Sequence, residues 1–257
     1  MSTLQTFRRH RKPLSGALAA LMAVWQIGQP LQGADFYWDA DATTAGNNVD
    51  GTSLGGAGTW DTTTASWWDL STNLAWPNLN TSNAIFTGAF SAVPSATAVT
   101  VDAGGVTANR LSFARSGYTV SGGALTLAGT GAGLRADLGE SATIDSQISG
   151  TAGLVKTGGG SIRLGNASND YTGATTIADG SLIISNPAAL GGTGAVSILT
   201  TNTIPLNGGL IGFGGGSLVL DGTAGAMTFA RDVNFEGRGP IGDRGSAILS
   251  LGSNTLS

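Results

Sequence analysis

The sequence contains no cysteine. No disulfide can staple the fold, and no thiolate chemistry is open to it. It has one histidine, His10, in a basic N-terminal segment. Beyond residue 34 neither Cys nor His occurs, which excludes Ser–His and Cys–His nucleophile systems and zinc sites built on those ligands. Carboxylates, Lys, Arg and Tyr are left for any chemistry. Charge is scarce too, at 11% of residues, and unevenly placed. Arg8, Arg9, Arg11 and Lys12 stand in the first 34 residues, which hold no acid. The rest keeps eight basic and sixteen acidic residues, a net of −8. A chain of that sign without clustered Lys and Arg is unsuited to nucleic acid or anionic lipid. After residue 34 no amphipathic helix, no membrane-spanning apolar run, no cell-wall sorting motif and no terminal anchor is legible. Nor is there the long series of ten-residue alternating strands that a membrane barrel needs.

What the sequence has in abundance is glycine, 42 residues of it. The glycines alternate with short runs of Leu, Ile, Val and Thr, so they read as turns between strands rather than as a disordered tract. From Ala98 onward the expected strands include Val99–Val101, Arg110–Phe113, Tyr118–Val120, Ala124–Leu127, Ala142–Asp145 and Gly153–Val155. Val196–Leu199, Ser217–Leu220, Met227–Phe229, Val233–Phe235 and Ala247–Leu251 follow. A shared pattern, Gly then a small residue then alternating apolar residues, recurs at Gly123, Gly160, Gly180, Gly216 and Gly245, at spacings of 37, 20, 36 and 29. Two of these are near twice 20, as if an unmatched coil lay between the copies. A coil of about twenty residues suits a parallel β-helix better than a propeller, whose repeats are about twice as long.

The densest part of the pattern runs from Gly153 to Ser185. It holds Gly153-Leu154-Val155-Lys156-Thr157-Gly158 with Gly160, then Asn169 and Tyr171-Thr172-Gly173, then Thr175-Thr176-Ile177 and Gly180-Ser181-Leu182. This window, about one eighth of the chain, resembles the autotransporter-associated β-strand repeat of large secreted or surface bacterial proteins. The resemblance implies a β-helical passenger region. It implies no reaction and brings no catalytic residue.

The N-terminal segment reads as a secretory signal peptide over 1–34: basic to Lys12, apolar from Leu14 to Ile27, then small residues, with cleavage near Gly33–Ala34. Arg8-Arg9 is followed by further polar residues, which favours ordinary secretion over the twin-arginine route. Lack of Cys suits a chain that crosses membranes unfolded. Residues 35–97 carry Phe36-Tyr37-Trp38, Trp60, Trp67-Trp68 and Trp76. A solenoid end needs a cap for its apolar surface and strand edges, and these aromatics are the expected core of one. The sharper alternative is a platform on which sugar rings stack. In the same region Asp39, Asp41, Asn47, Asn48 and Asp50-Gly51 resemble an oxygen-rich calcium loop, but the spacing departs from an EF-hand, with Asp50 where Glu would stand, and Asx residues are good turn formers in any case.

The expected fold is all-β: a right-handed parallel β-helix (solenoid) with an N-terminal aromatic-rich cap. Residues 98–257 form the repeats and stop just after a strand, as if incomplete. The expected role is a secreted or cell-surface structural or adhesive passenger, not an enzyme, with surface glycans or other cell-surface components as partners. No catalytic, cofactor-binding or metal residue is assigned, and no cofactor is expected. The alternative is a β-helix lyase or glycoside hydrolase acting on polysaccharide. For that, Asp170 and Asp179 are the nearest carboxylate pair in the repeat, and Lys156 and Arg163 could hold an anionic chain. Both Asp residues sit in natural turns, and Lys156 looks like part of the repeat itself. Gly212-x-Gly214-x-x-Ser217 lacks the third glycine and following helix of a dinucleotide site. The register argument is sharper. Aligning Gly160 with Gly180 pairs Ile162 with Leu182 and Leu164 with Ile184, all inward, and turns Arg163 and Ile183 outward. Leu182→Asp should then cost several kcal/mol, and Arg163→Asp about 0.5 kcal/mol or less.

Overall fold

Alternating apolar residues between glycine corners form strands of two to seven residues. A computed structural model describes residues 33–88, 97–192, 194–199, 203–206, 209–212, 215–235 and 248–257, the backbone alone for 203–206, 209–212 and 235. The signal-peptide reading lies, up to residue 32, outside the described residues. The described residues belong to the unit Gly33–Ser257. They are almost entirely strand and turn, with one short 3-10 helix, Pro187–Leu190.

Three parallel sheets carry the fold. Going along the chain, the first sheet stacks Asn83–Phe86, Arg110–Phe113, Gly133–Ala136, Leu154–Thr157, Thr175–Ile177, Val196–Ile198 and Val233–Phe235. The second stacks Gly58–Trp60, Thr97–Val101, Tyr118–Gly122, Ser141–Ile144, Ser161–Leu164, Gly180–Ile184, Gly216–Gly222 and Ile248–Gly252. The third holds Val106–Ala108, Leu125–Leu127 and Ile148–Ser149. From Val106 to Leu164 the chain visits third, first and second sheet in strict rotation. Residues 169–172 extend the third line without being strand: the amide of Asp170 donates to the carbonyl of Ile148, and that of Thr172 to Gly150.

The register in the repeat window is the one that the alternation argument gives. Ser161–Leu164 pairs parallel with Gly180–Ile184, with Ile162 opposite Leu182 and Leu164 opposite Ile184. Those four side chains are fully buried, as are Leu218 and Leu220 one strand further on. Arg163 and Ile183 face out, half-exposed. Each buried aliphatic side chain contributes about 1.5–3 kcal/mol of transfer free energy.

The glycine spacings mean something different from what the sequence suggests. Between Gly123 and Gly160 a strand, Ser141–Ile144, does intervene, but Gly123 leads into a third-sheet strand and Gly160 into a second-sheet one. Between Gly180 and Gly216 no strand of that sheet intervenes, since Gly180 pairs directly with Gly216. The extra residues include the 3-10 turn and an antiparallel hairpin, Thr203–Leu206 with Gly209–Gly212. At the far end Leu218 pairs with Ile248, not Ala247, a shift of one residue that reverses which side chains face in.

At the N-terminal side the first sheet continues from Asn83–Phe86 to Asp35–Trp38. It then adds the antiparallel strands Trp67–Trp68 and Asn73–Leu74.

Candidate functional site

The aromatics of residues 35–97 pack into one another. Trp38, Trp60 and Trp67 are fully buried, Trp76 nearly so, and Phe86 fully. Ring centroids lie 4.6 Å apart for Trp67–Trp76 and 5.0 Å for Trp60–Trp67 and Trp60–Trp76. The indole nitrogen of Trp38 donates to the carbonyl of Gly56 and that of Trp76 to Thr107, both at 2.8 Å. Buried rings cannot stack against sugars, so the platform reading fails for these tryptophans. They are core.

The oxygen-rich stretch from Asp39 to Asp50 spends its side chains on local structure. Asp39 is buried and accepts from the amides of Asn47, at 2.8 Å, and Asn73, at 2.6 Å. Burial pushes its carboxyl up, against those two donors. Exposed Asp41 and Asp50 each accept a backbone amide two residues on, from Thr43 and Thr52. These are Asx turns, and the Asp39 network ties their loop to Asn73–Leu74.

The residues of the alternative enzyme site do not converge. Lys156 is fully buried, and its ammonium donates to the carbonyls of Thr157 (2.9 Å), Gly158 (2.7 Å) and Asp179 (3.0 Å). Burial pushes its pKa down to about 8. It clamps two successive turns and cannot reach a ligand. Arg163 pairs with Asp221 at 2.5 Å and donates to Ser185. The Asp221 carboxyl is held down at about 2 by Thr223 and by Arg163. Asp170 lies in the third line and Asp179 in a corner of the clamp, with the first-sheet strand Thr175–Ile177 between them. Ser217 is buried within a strand, not at the start of a helix, which removes the dinucleotide reading.

The motif residues that resemble the repeat family turn out to be fasteners. Asn169 accepts from the amide of Ile148 and donates to the carbonyl of Ala189, both at 2.7 Å, so one side chain bridges three levels of the stack. Tyr171 is buried with its hydroxyl 2.8 Å from that of Thr175.

A groove of about 250 Å³ on the outer face of the first sheet was not singled out in the sequence. Asp35, Asn83, Ile85, Arg110, Ser112, Ala114, Arg135 and Asp137 line it. Ala114 and Asp137 directly follow two of the strands, and the other six are outward positions on neighbouring parallel strands: Asp35 opposite Asn83, Asn83 opposite Arg110, and Ile85 and Arg135 either side of Ser112. Only the register brings them together, across about a hundred residues. The one available signal is the polar alternation of Arg110-Leu111-Ser112-Phe113, which marks Arg110 and Ser112 as outward.

Residues 154–184 match the family described as Passenger-associated-transport-repeat. The chain is also 34% identical over 226 residues to the protein named Adhesin BmaC autotransporter of Brucella suis biovar 1 (strain 1330). That alignment covers 86% of this chain and 6% of the relative, so the chain spans a small fraction of the curated protein it matches. No solved structure gives a significant match. Residues 154–184 of this chain are thus a passenger-associated-transport-repeat, the autotransporter-associated β-strand repeat.

Proposed function

We propose that the chain is a non-catalytic, cell-surface adhesive passenger segment, built as a right-handed parallel β-helix. In this reading residues 1–34 are a signal peptide, 35–97 an aromatic-cored cap, and 98–257 the repeats. The observation that carries the function is the likeness over 226 residues to a protein named as an adhesin. The rotation of the chain through three parallel sheets supports the helix, and right-handed crossovers between parallel strands are the overwhelming rule. The antiparallel pair Trp67–Trp68 and Asn73–Leu74 at the sheet end supports a cap, because it covers an edge that would otherwise recruit strands. Burial of Lys156 and pairing of Arg163 count against the polysaccharide-cleaving alternative. Among the described residues no helix is long and apolar enough to cross a membrane.

The test uses beads coated with the purified chain. They should bind cultured animal cells well above albumin-coated beads, and soluble chain should compete. Equal binding by both kinds of bead would end the adhesive reading. Export is checked separately. The chain made in a secreting bacterium should be recovered outside the cytoplasm about 34 residues shorter by intact mass, and an uncut N-terminus there would remove the signal-peptide assignment.

A further inference from the structure

We propose that the groove on the outer face of the first sheet binds the carboxylate-bearing unit of an acidic saccharide. The inference deepens the adhesive reading by naming a ligand class for it. Arg110 is half-buried in the groove, and its side chain has neither an ion pair nor a hydrogen bond among the described residues. Its guanidinium lies beside Gly131, where a Cβ would stand 3.3 Å from a terminal nitrogen, so the absence of a side chain there makes room for it. An arginine held in this way presents a planar fork that suits a carboxylate.

The rest of the lining suits the remainder of a sugar ring. The Ser112 hydroxyl, next to Arg110 on the same face, has no partner among the described residues. Arg135 is occupied by Asp137, with Nε and a terminal nitrogen 2.9 and 2.7 Å from the same carboxylate oxygen, Oδ1. That leaves Oδ2 of Asp137 to accept from a hydroxyl. Asp35 is exposed and similarly placed: Oδ1 accepts from Asn83 at 2.7 Å, which leaves Oδ2 as a second acceptor. Half-buried Ile85 offers an apolar patch for the C–H face of a ring. An arginine without an ion pair, several hydroxyl partners and a small apolar patch are what an acidic sugar matches. An acidic peptide such as polyglutamate brings the carboxylate but no side-chain hydroxyl for Asp137 and no C–H ring face for Ile85. The groove is small beside drug-sized pockets, which begin at about 300 Å³, and takes about one monosaccharide unit.

The experiment titrates the full chain by calorimetry with tetragalacturonate, a neutral galactose tetramer and hexaglutamate. The acidic sugar should bind, weaken as salt is raised, and exceed both others by about tenfold or more. Arg110→Ala should lower its affinity by about tenfold, and Arg110→Lys by less, since a point charge replaces the fork. Ser112→Leu, which fills the groove, should abolish binding while leaving the melting temperature in place. Absence of binding at millimolar tetragalacturonate, equal binding of the neutral tetramer or of hexaglutamate, or an unaffected Arg110→Ala variant would each overturn the proposal. Beads coated with the Arg110→Ala protein separate the two readings. If that protein binds sugar normally and its beads still adhere, the groove assignment falls and the adhesive role stands.

Discussion

At the scale of single residues, Lys156 is the most consequential buried group. Its three carbonyl partners belong to two successive turns of the stack. Its folded pKa of about 8 lies below the ordinary 10.5. Between those values the unfolded chain holds the proton more tightly, so stability rises as pH rises through the window. Relative to Lys156→Met, the wild type should gain about 1–2 kcal/mol between about pH 8 and 9.5, measured by urea unfolding. A parallel pH response in both proteins would show that the ammonium is not the cause. At higher pH buried Tyr171, pushed up to about 12 by burial, acts the other way, because unfolded tyrosine ionises first and stability then falls. The substitutions at Leu182 and Arg163 belong to the same scale. Leu182→Asp places a carboxylate at a fully buried position and should cost about 4 kcal/mol. Arg163→Asp sets a second carboxylate against Asp221, whose side chain is only 11% exposed. The expected cost is about 1–2 kcal/mol, above the 0.5 that outward position alone suggests. Chemical denaturation of the two variants side by side checks the ranking, and equal costs would contradict it.

At the scale of elements, the corners set how the strands stack. Gly180 starts a second-sheet strand at φ 67°, and a Cβ there would lie 2.3 Å from the carbonyl oxygen of Gly160 and 2.4 Å from that of Gly158. Gly180→Ala would therefore meet backbone as well as an unfavourable conformation, and should destabilise by about 2–4 kcal/mol. Asn169 fastens a different corner. Asn169→Asp keeps the acceptor for Ile148 but turns the donor to Ala189 into a carboxylate facing a carbonyl. A loss of about 2–3 kcal/mol is expected, with faster hydrogen exchange at Ile148 as the specific readout. Exchange unchanged at that amide would show that the side chain does not fasten the levels.

At the scale of the whole molecule, stability comes from a continuous apolar column shared by successive strands, joined at one end to the tryptophan cluster. Asp39, Asp41 and Asp50 already have protein donors. Chelator should therefore leave the melting temperature within about 3 °C of its untreated value, and reductant should have no effect. A larger drop with chelator would mean that a cation is bound in the loop from Asp39 to Asp50.

The alternation of apolar residues and the glycine corners were readable directly because they are local. Side-chain direction along a strand has a period of two, so Ile162, Leu164, Leu182 and Ile184 face in together once Gly160 and Gly180 are aligned. The repeat at residues 154–184 is legible for the same reason: its fixed offsets run through first- and second-sheet strands of two successive turns, close together in the chain. Residues 35–97 gave their aromatic content but not their strands, because Asp35–Trp38, Gly58–Trp60 and Asn83–Phe86 pair across irregular loops that set no period. Spacing also does not distinguish an added strand from a longer connection, so the hairpin between Gly180 and Gly216 has the same length signature as an extra coil. Lys156 reads as part of the repeat, but what it does there is not local: only the stacking of Asp179 against it closes three carbonyls around its ammonium. The groove is further still from local sequence. Asp35, Ile85, Arg110 and Arg135 become neighbours through register between separate strands, and register is set by what each strand buries on its opposite face.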